Sequence, residues 1–169
     1  PGNIHRKAMI IKVCGMRDPE NIRAVEALGI DLMGFIFWPP SSRYVGRVPS
    51  YLPVNCRRVG VFVDATLPDI LTAVRDFELD VLQLHGHETP EAIAALKEQF
   101  PAVRIVKSLA VTGPEDLAQA AAYEDVCDAF LFDTKGQLPG GNGRRPLTQN
   151  HNALHGQSHW AIQGYRLRT

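Results

Sequence analysis

Six runs of apolar residues recur along the chain, beginning near residues 9 (MIIKVC), 31 (DLMGFIF), 58 (RVGVFV), 80 (DVLQLH), 103 (VRIVKS) and 127 (CDAFLF). The intervals between their starts are 22, 27, 22, 23 and 24 residues. Each run is too continuous for a half-exposed antiparallel strand and predicts a parallel strand covered on both faces. Amphipathic patterns with recognisable starts lie between most of them. Asp18 precedes Pro19 and the pattern ends at Gly29, which predicts a capped first helix. Behind Pro68, an apolar stripe of Ile70, Leu71, Val74 and Phe77 predicts another. Thr89 and Pro90 open a third pattern, with Ile93, Leu96 and Phe100 as its stripe. Thr112 and Glu115 have capping-box spacing around Pro114. The second unit differs, because "VGRVPSYLPVN" holds two prolines and little helical period, so its helix is expected to be short or lost. Strand and helix alternating at this spacing predict a parallel α/β fold with right-handed crossovers, either doubly wound or a (β/α)8 barrel.

Composition narrows the function classes. The chain has 169 residues, enough for one domain with a real core. Eighteen basic and 18 acidic residues cancel, so no overall field draws in nucleic acid or an anionic membrane. No apolar run approaches the roughly 18 residues that span a bilayer, and Pro1–Lys7 is too polar for a signal-peptide core. Cys14, Cys56 and Cys127 are odd in number and widely spaced, with no C-x-x-C pair. That argues against a disulfide scaffold or structural zinc and predicts a cytoplasmic protein. No G-x-G-x-x-G or G-x-x-x-x-G-K-[ST] loop comes after a strand, which disfavours dinucleotide and P-loop readings.

In parallel α/β folds the C-terminal strand ends meet at one rim, where sites are built. Here those positions carry Cys14, the loop from Trp38 to Tyr44, Asp64, His85, Ser108 and Asp133. A thiol, an imidazole and two carboxylates at one rim form an acid–base set. Each has a plainer alternative: a buried cysteine as a small hydrophobe, a loop-capping Asp133, a core His85, a solvated Arg43. His87 reads as exposed. "LPGGNG" (138–143) is a flexible loop with weak phosphate-binding character by itself.

The order of the motifs carries more than any one of them. "KVCGMRD", "GFIFWPPSSRYV", "RRVGVFVD", "LDVLQLHG", "RIVKSLAV" and "LFDTKGQLPGGNG" occur in sequence over about residues 9–144. Together they closely resemble the phosphoribosylanthranilate isomerase family of tryptophan biosynthesis. The resemblance implies a TIM-barrel-type (β/α)8 fold and an Amadori rearrangement of N-(5-phosphoribosyl)anthranilate to 1-(2-carboxyphenylamino)-1-deoxyribulose 5-phosphate. It implies no metal and no organic cofactor. The aspartate of "LFDT" corresponds to Asp133 as general acid, and the cysteine of "KVCG" to Cys14 as general base. Arg43 of "SSRY" would grip the anthranilate carboxylate with its planar fork. Gln83 and His85 of "QLHG" would line the floor, and Gly141 of "PGGNG" would contact substrate. The partner implied is this small phosphosugar–anthranilate molecule, handled by a monomer or homodimer.

After "GGNGRR" the likeness stops, which divides the chain into a partial barrel domain, 1–144, and a divergent tail, 145–169. Six βα units are recognisable, whereas a complete barrel needs eight and generally at least ~200 residues. The "LSGGI" signature expected for a seventh strand is absent, and strands 7 and 8 are not evident. Truncation, a shifted reading frame and a genuine tail all remain open. His151, His155 and His159 recur every four residues, but Gly156 and the lack of a carboxylate count against a metal site. There are two alternatives to a working isomerase: an inactive member of the family, or a binding module for a phosphorylated or aromatic carboxylate ligand.

Overall fold

The computed structural model describes residues 10–134 other than 112–115 and 117. Gly141, the "LPGGNG" loop, the tail histidines and the Thr112–Glu115 capping box lie outside the described residues. Six parallel strands form a single sheet in sequence order: β1 (Lys12–Cys14), β2 (Leu32–Ile36), β3 (Arg57–Phe62), β4 (Val81–Leu84), β5 (Arg104–Val111) and β6 (Ala129–Thr134). Strands adjacent in sequence also pair with one another. This is the order of an unrolled barrel wall, with no crossover point of the kind that defines a doubly wound sheet. The α/β expectation is met, as six strands of a curled, partial barrel.

Among the described residues, three helices lie in the crossovers: α1 (Pro19–Glu26), α2 (Leu67–Phe77) and α3 (Pro90–Gln99). Each starts in the same way. Asp18, Thr66 and Thr89 stand in extended backbone, and their side chains accept hydrogen bonds from the N–H groups of Asn21, Asp69 and Ala92. Proline occupies the first turn of all three, where its missing N–H is one of the orphans in any case. The crossover from β2 to β3 holds no helix among the described residues, as its two prolines predict. A 3₁₀ turn at Gln119–Tyr123 precedes β6.

The sheet has two apolar faces, which explains the continuous runs. On the helix side, Ile22, Ile70, Phe77, Ile93 and Leu96 pack on Met33, Phe35, Phe62, Leu82, Leu84 and Ile105. One expected stripe residue departs: Leu71 is 41% exposed, and Ala73 is buried in its place. The other, inner face gathers Leu32, Val59, Val81, Val106, Ala129 and Leu131. Because side chains alternate along a strand, the next residues on that face toward the C-terminal ends are polar: Gln83 after Val81, Ser108 after Val106, Asp133 after Leu131.

The inner face is concave. The Lys12 ammonium on β1 donates a hydrogen bond to Gln83 Oε1 on β4. Three strand steps separate these strands, about 14 Å along a flat sheet at roughly 4.8 Å per step. The two side chains meet because the sheet curls and brings its first and fourth strands toward each other.

Candidate active site

The inner face changes from apolar to polar at the C-terminal strand ends. Cys14 ends β1, where it pairs in register with Gly34 of β2. A Cβ at position 34 would sit 2.6 Å from the Cys14 sulfur, so the missing side chain is what gives the thiol its place. The chain then leaves the strand through Gly15 at φ +86°, a conformation that glycine adopts without cost. The N–H groups of Gly15 and Met16 both donate to Gly34 O, at 2.9 and 3.0 Å.

The helix-free crossover brings Arg43 to this point. Residues after β2 loop round and rejoin its end in parallel, so that Val45 N–H donates to Ile36 O at 2.9 Å and Ile36 bridges Tyr44. Arg17 clamps the loop by donating to Ser42 O at 3.0 Å. The Arg43 guanidinium donates to Cys14 O at 3.2 Å, and its stem lies where a side chain on Gly15 would be. Arg43 is exposed, and its guanidinium has N–H groups beyond the one that bonds Cys14 O. Lys12, two residues before the thiol, has its pKa lowered by burial, while the neighbouring Cys14 acts in the opposite direction.

From Lys12 a polar chain crosses the concavity. The amide of Gln83 receives the Lys12 ammonium and lies 3.2 Å from His85 Nδ1 through its nitrogen. His85 Nε2 in turn lies 3.6 Å from Asp133 Oδ2, with both side chains largely buried (11% and 19% exposed). The backbone of His85 is fixed by donation to Phe62 O at 2.8 Å. Of the expected site residues, Cys14 and Arg43 are therefore brought together at one side and Gln83, His85 and Asp133 at the other. Lys12 links the two groups. Ser108 is also on this face, and its buried hydroxyl has no hydrogen-bond partner among the described residues.

Asp64 does not join them. It accepts from the backbone N–H of His87 at 2.5 Å and pairs with the His87 ring at 2.9 Å. Its φ of +49° and its tight packing on Gly86 identify a turn-forming role. The His87 hydrogen bond is the main reason its carboxyl is held below the ordinary range. His87 is 95% exposed, as its sequence context predicts.

Two lysines escaped sequence reasoning. Lys12 reads as one polar residue in an apolar run, with no signal that its partner is 71 residues away. Lys107 reads the same way. It is buried and donates to Gly86 O at 2.8 Å and Ser108 O at 2.9 Å, beside Glu88 at 3.3 Å. It thereby fastens the loop after β4, which carries His85. A cavity of about 720 Å³ opens at the opposite, N-terminal ends of the strands, lined by Asp31, Cys56, Arg58, Glu78 and Asp80 among others. Arg58 there already donates to Pro53 O, Phe77 O and Glu78. That end of a barrel wall serves stability, and the rim holds the reactive groups.

The chain is similar to known proteins along most of its length. A family model described as N-(5'phosphoribosyl)anthranilate (PRA) isomerase matches residues 11–150. An N-(5'-phosphoribosyl)anthranilate isomerase of Phocaeicola vulgatus is 48% identical over 161 residues, covering 95% of this chain and 72% of the relative. The crystal structure of phosphoribosyl anthranilate isomerase from Thermotoga maritima superposes with a TM-score of 0.69 at 32% identity. It covers 80% of this chain and 66% of that one. A second solved isomerase, in complex with reduced 1-(o-carboxyphenylamino)-1-deoxyribulose 5-phosphate, gives a TM-score of 0.66 at 31% identity, covering 75% of this chain and 66% of that one. The chain thus spans about two thirds of the length of the solved chains that it matches.

Proposed function

The chain belongs to the N-(5'-phosphoribosyl)anthranilate isomerase family, and on that basis we propose that it catalyses the Amadori rearrangement of N-(5-phosphoribosyl)anthranilate by general acid–base catalysis. The observation that carries the reading is the meeting of Cys14, Arg43, Gln83, His85 and Asp133 on one concave face at one end of the sheet. The substrate is an aminal closed through its furanose oxygen. Asp133 donates its proton to that oxygen as the ring C–O bond breaks, and the nitrogen lone pair forms the protonated imine. Cys14 then takes the proton from C2 of the sugar, and the electrons of that C–H bond give the enolamine, which tautomerises to the ketone. A thiol used as a base needs positive charge close by, and Lys12 supplies it. A carboxyl used as an acid needs a restricted, partly apolar seat, and Asp133 has one between Leu131 and His85. Arg43 holds the anthranilate carboxylate through the N–H groups left free by its bond to Cys14 O.

The barrel portion is taken as residues 1–144, with 145–169 as a separate tail and Gly141 as a further substrate-binding residue. The partner is the small molecule itself, with neither nucleic acid nor membrane involved. Among the described residues no helix is long and apolar enough to cross a membrane. The enzyme works in the cytoplasm as a monomer or homodimer.

The test is turnover by the 169-residue chain, with substrate formed in situ from anthranilate and phosphoribosyl pyrophosphate and its loss tracked by fluorescence. Cys14→Ala and Asp133→Asn are each expected to lower the rate by about 10²–10⁴-fold, the usual worth of a positioned acid or base. A folded chain without turnover, or one indifferent to both substitutions, overturns the reading.

A further inference from the structure

The polar chain across the concavity fixes the direction of every hydrogen bond in it. Lys12 Nζ donates to Gln83 Oε1, so it is the carbonyl oxygen of the amide that faces Lys12. The Gln83 NH₂ is thereby turned toward His85, and Nδ1, at 3.2 Å, has to accept. A neutral imidazole accepts at one nitrogen and carries its proton on the other. We propose that Lys12 and Gln83 are positioning residues that hold His85 as the Nε2–H tautomer, with that N–H directed at the Asp133 carboxyl. What this does for the reaction rests on the function proposed above, whereas the tautomer itself is set by the hydrogen bonds alone.

The effect falls on the acid. When Asp133 gives up its proton, the negative charge left behind faces an N–H instead of a lone pair, 3.6 Å away. The opposite tautomer would aim a lone pair at that charge and a proton at the Gln83 NH₂, with repulsion at both ends. Lys12 is the origin of this polarity. It also stands beside Cys14, so one ammonium lies next to the proposed base and sets the orientation of the group facing the proposed acid.

Two-bond ¹H–¹⁵N correlation spectra of the uniformly ¹⁵N-labelled chain report each histidine's protonation pattern. The His85 signals are identified by their loss in His85→Gln. The expected wild-type pattern is a single neutral form, unprotonated at Nδ1 and protonated at Nε2. Gln83→Glu replaces the donor with an acceptor and is expected to move a proton onto Nδ1. Lys12→Met, which is neutral and of similar length, removes what orients the amide and is expected to give mixed tautomers. A wild-type His85 protonated at Nδ1 overturns the proposal. So does a folded Gln83→Glu chain whose Nδ1 stays unprotonated, or a folded Lys12→Met chain whose pattern is unchanged. The amide spectrum of each variant reports folding, and should Gln83→Glu unfold, the wild type and Lys12→Met still decide. Turnover is read separately. Where the wild type is active, Lys12→Met is expected to lower kcat by roughly tenfold or more with KM little changed. A wild type with the expected tautomer and no turnover sinks the functional reading and leaves this one standing.

Discussion

At the scale of the residue, the three thiols are separated by their surroundings. Burial pushes Cys56 up to about 11, with Glu26 adding to the effect, and burial also pushes Cys127 up to about 11. Both are therefore held as protonated, weakly nucleophilic thiols at neutral pH. Cys14 stands instead beside Lys12 at the rim. Iodoacetamide at neutral pH is expected to modify Cys14 first, and peptide mass mapping of a partly labelled sample checks it; equal labelling at Cys56 would contradict the assigned environments. The sequence made some of these positions legible and hid others. Cys14, Arg43, His85 and Asp133 could be read because each lies in a short motif at a strand end. The Lys12–Gln83 bond could not, because it depends on how far the sheet curls, and curvature is a property of several strands together. Asp64 was misread for a related reason: its strand-end position is right, but its carboxylate is engaged by His87 in the next loop.

The scale of the element is where local signals suffice. Asp18 and Thr89 could be read as helix starts because the N–H groups they satisfy are three residues away. Leu71 shows the limit of a periodic stripe, since the sheet beneath α2 selects Ala73 over it. Glu26 shows another. A glutamate on an amphipathic helix reads as solvated, yet here it is buried and accepts from Tyr51 Oη at 2.5 Å, Val54 N–H at 2.6 Å and Asn55 N–H at 2.5 Å. It ties the end of α1 to the segment entering β3. Burial acts to raise its pKa, but the hydrogen bonds from Tyr51, Asn55 and Val54 outweigh burial and the net direction is downward. A carboxyl lowered by folding adds stability that is fully present above its unfolded value. That contribution disappears as pH falls through the lowered folded value. Glu26→Gln is expected to cost about 1.5–3 kcal/mol at neutral pH, the range for hydrogen bonds to a charged group. Thermal melts of wild type and variant should converge as the pH is brought down through the carboxylate range. A gap that stays constant with pH would mean that the charge contributes nothing.

At the scale of the whole molecule, the sheet's strands are unequally supported. β3 and β4 are flanked on both sides, while β1 is three residues long and has one described neighbour, β2. Protection from hydrogen exchange tracks local burial and pairing. Amides of β3 and β4 are expected to exchange most slowly and those of β1 distinctly faster, as read by mass spectrometry of peptides. Exchange at β1 as slow as at β3 would mean that the wall is closed beyond the described strands. The overall α/β class was legible because both sheet faces are apolar and the units recur at near-constant spacing. The choice between a doubly wound sheet and a barrel wall was not legible from periodicity. It depends on which strands are neighbours, and only the motif resemblance favoured the wall.

Strand order also has a temporal meaning. Since every strand pairs with the one just before it, the sheet can grow in the direction of synthesis, without waiting for a distant partner. The Lys12–Gln83 bond spans 71 residues and can close once β4 has been made. By then the thiol, the guanidinium and the ammonium have found their positions. Asp133 arrives two strands later, at a rim that is already set to receive it.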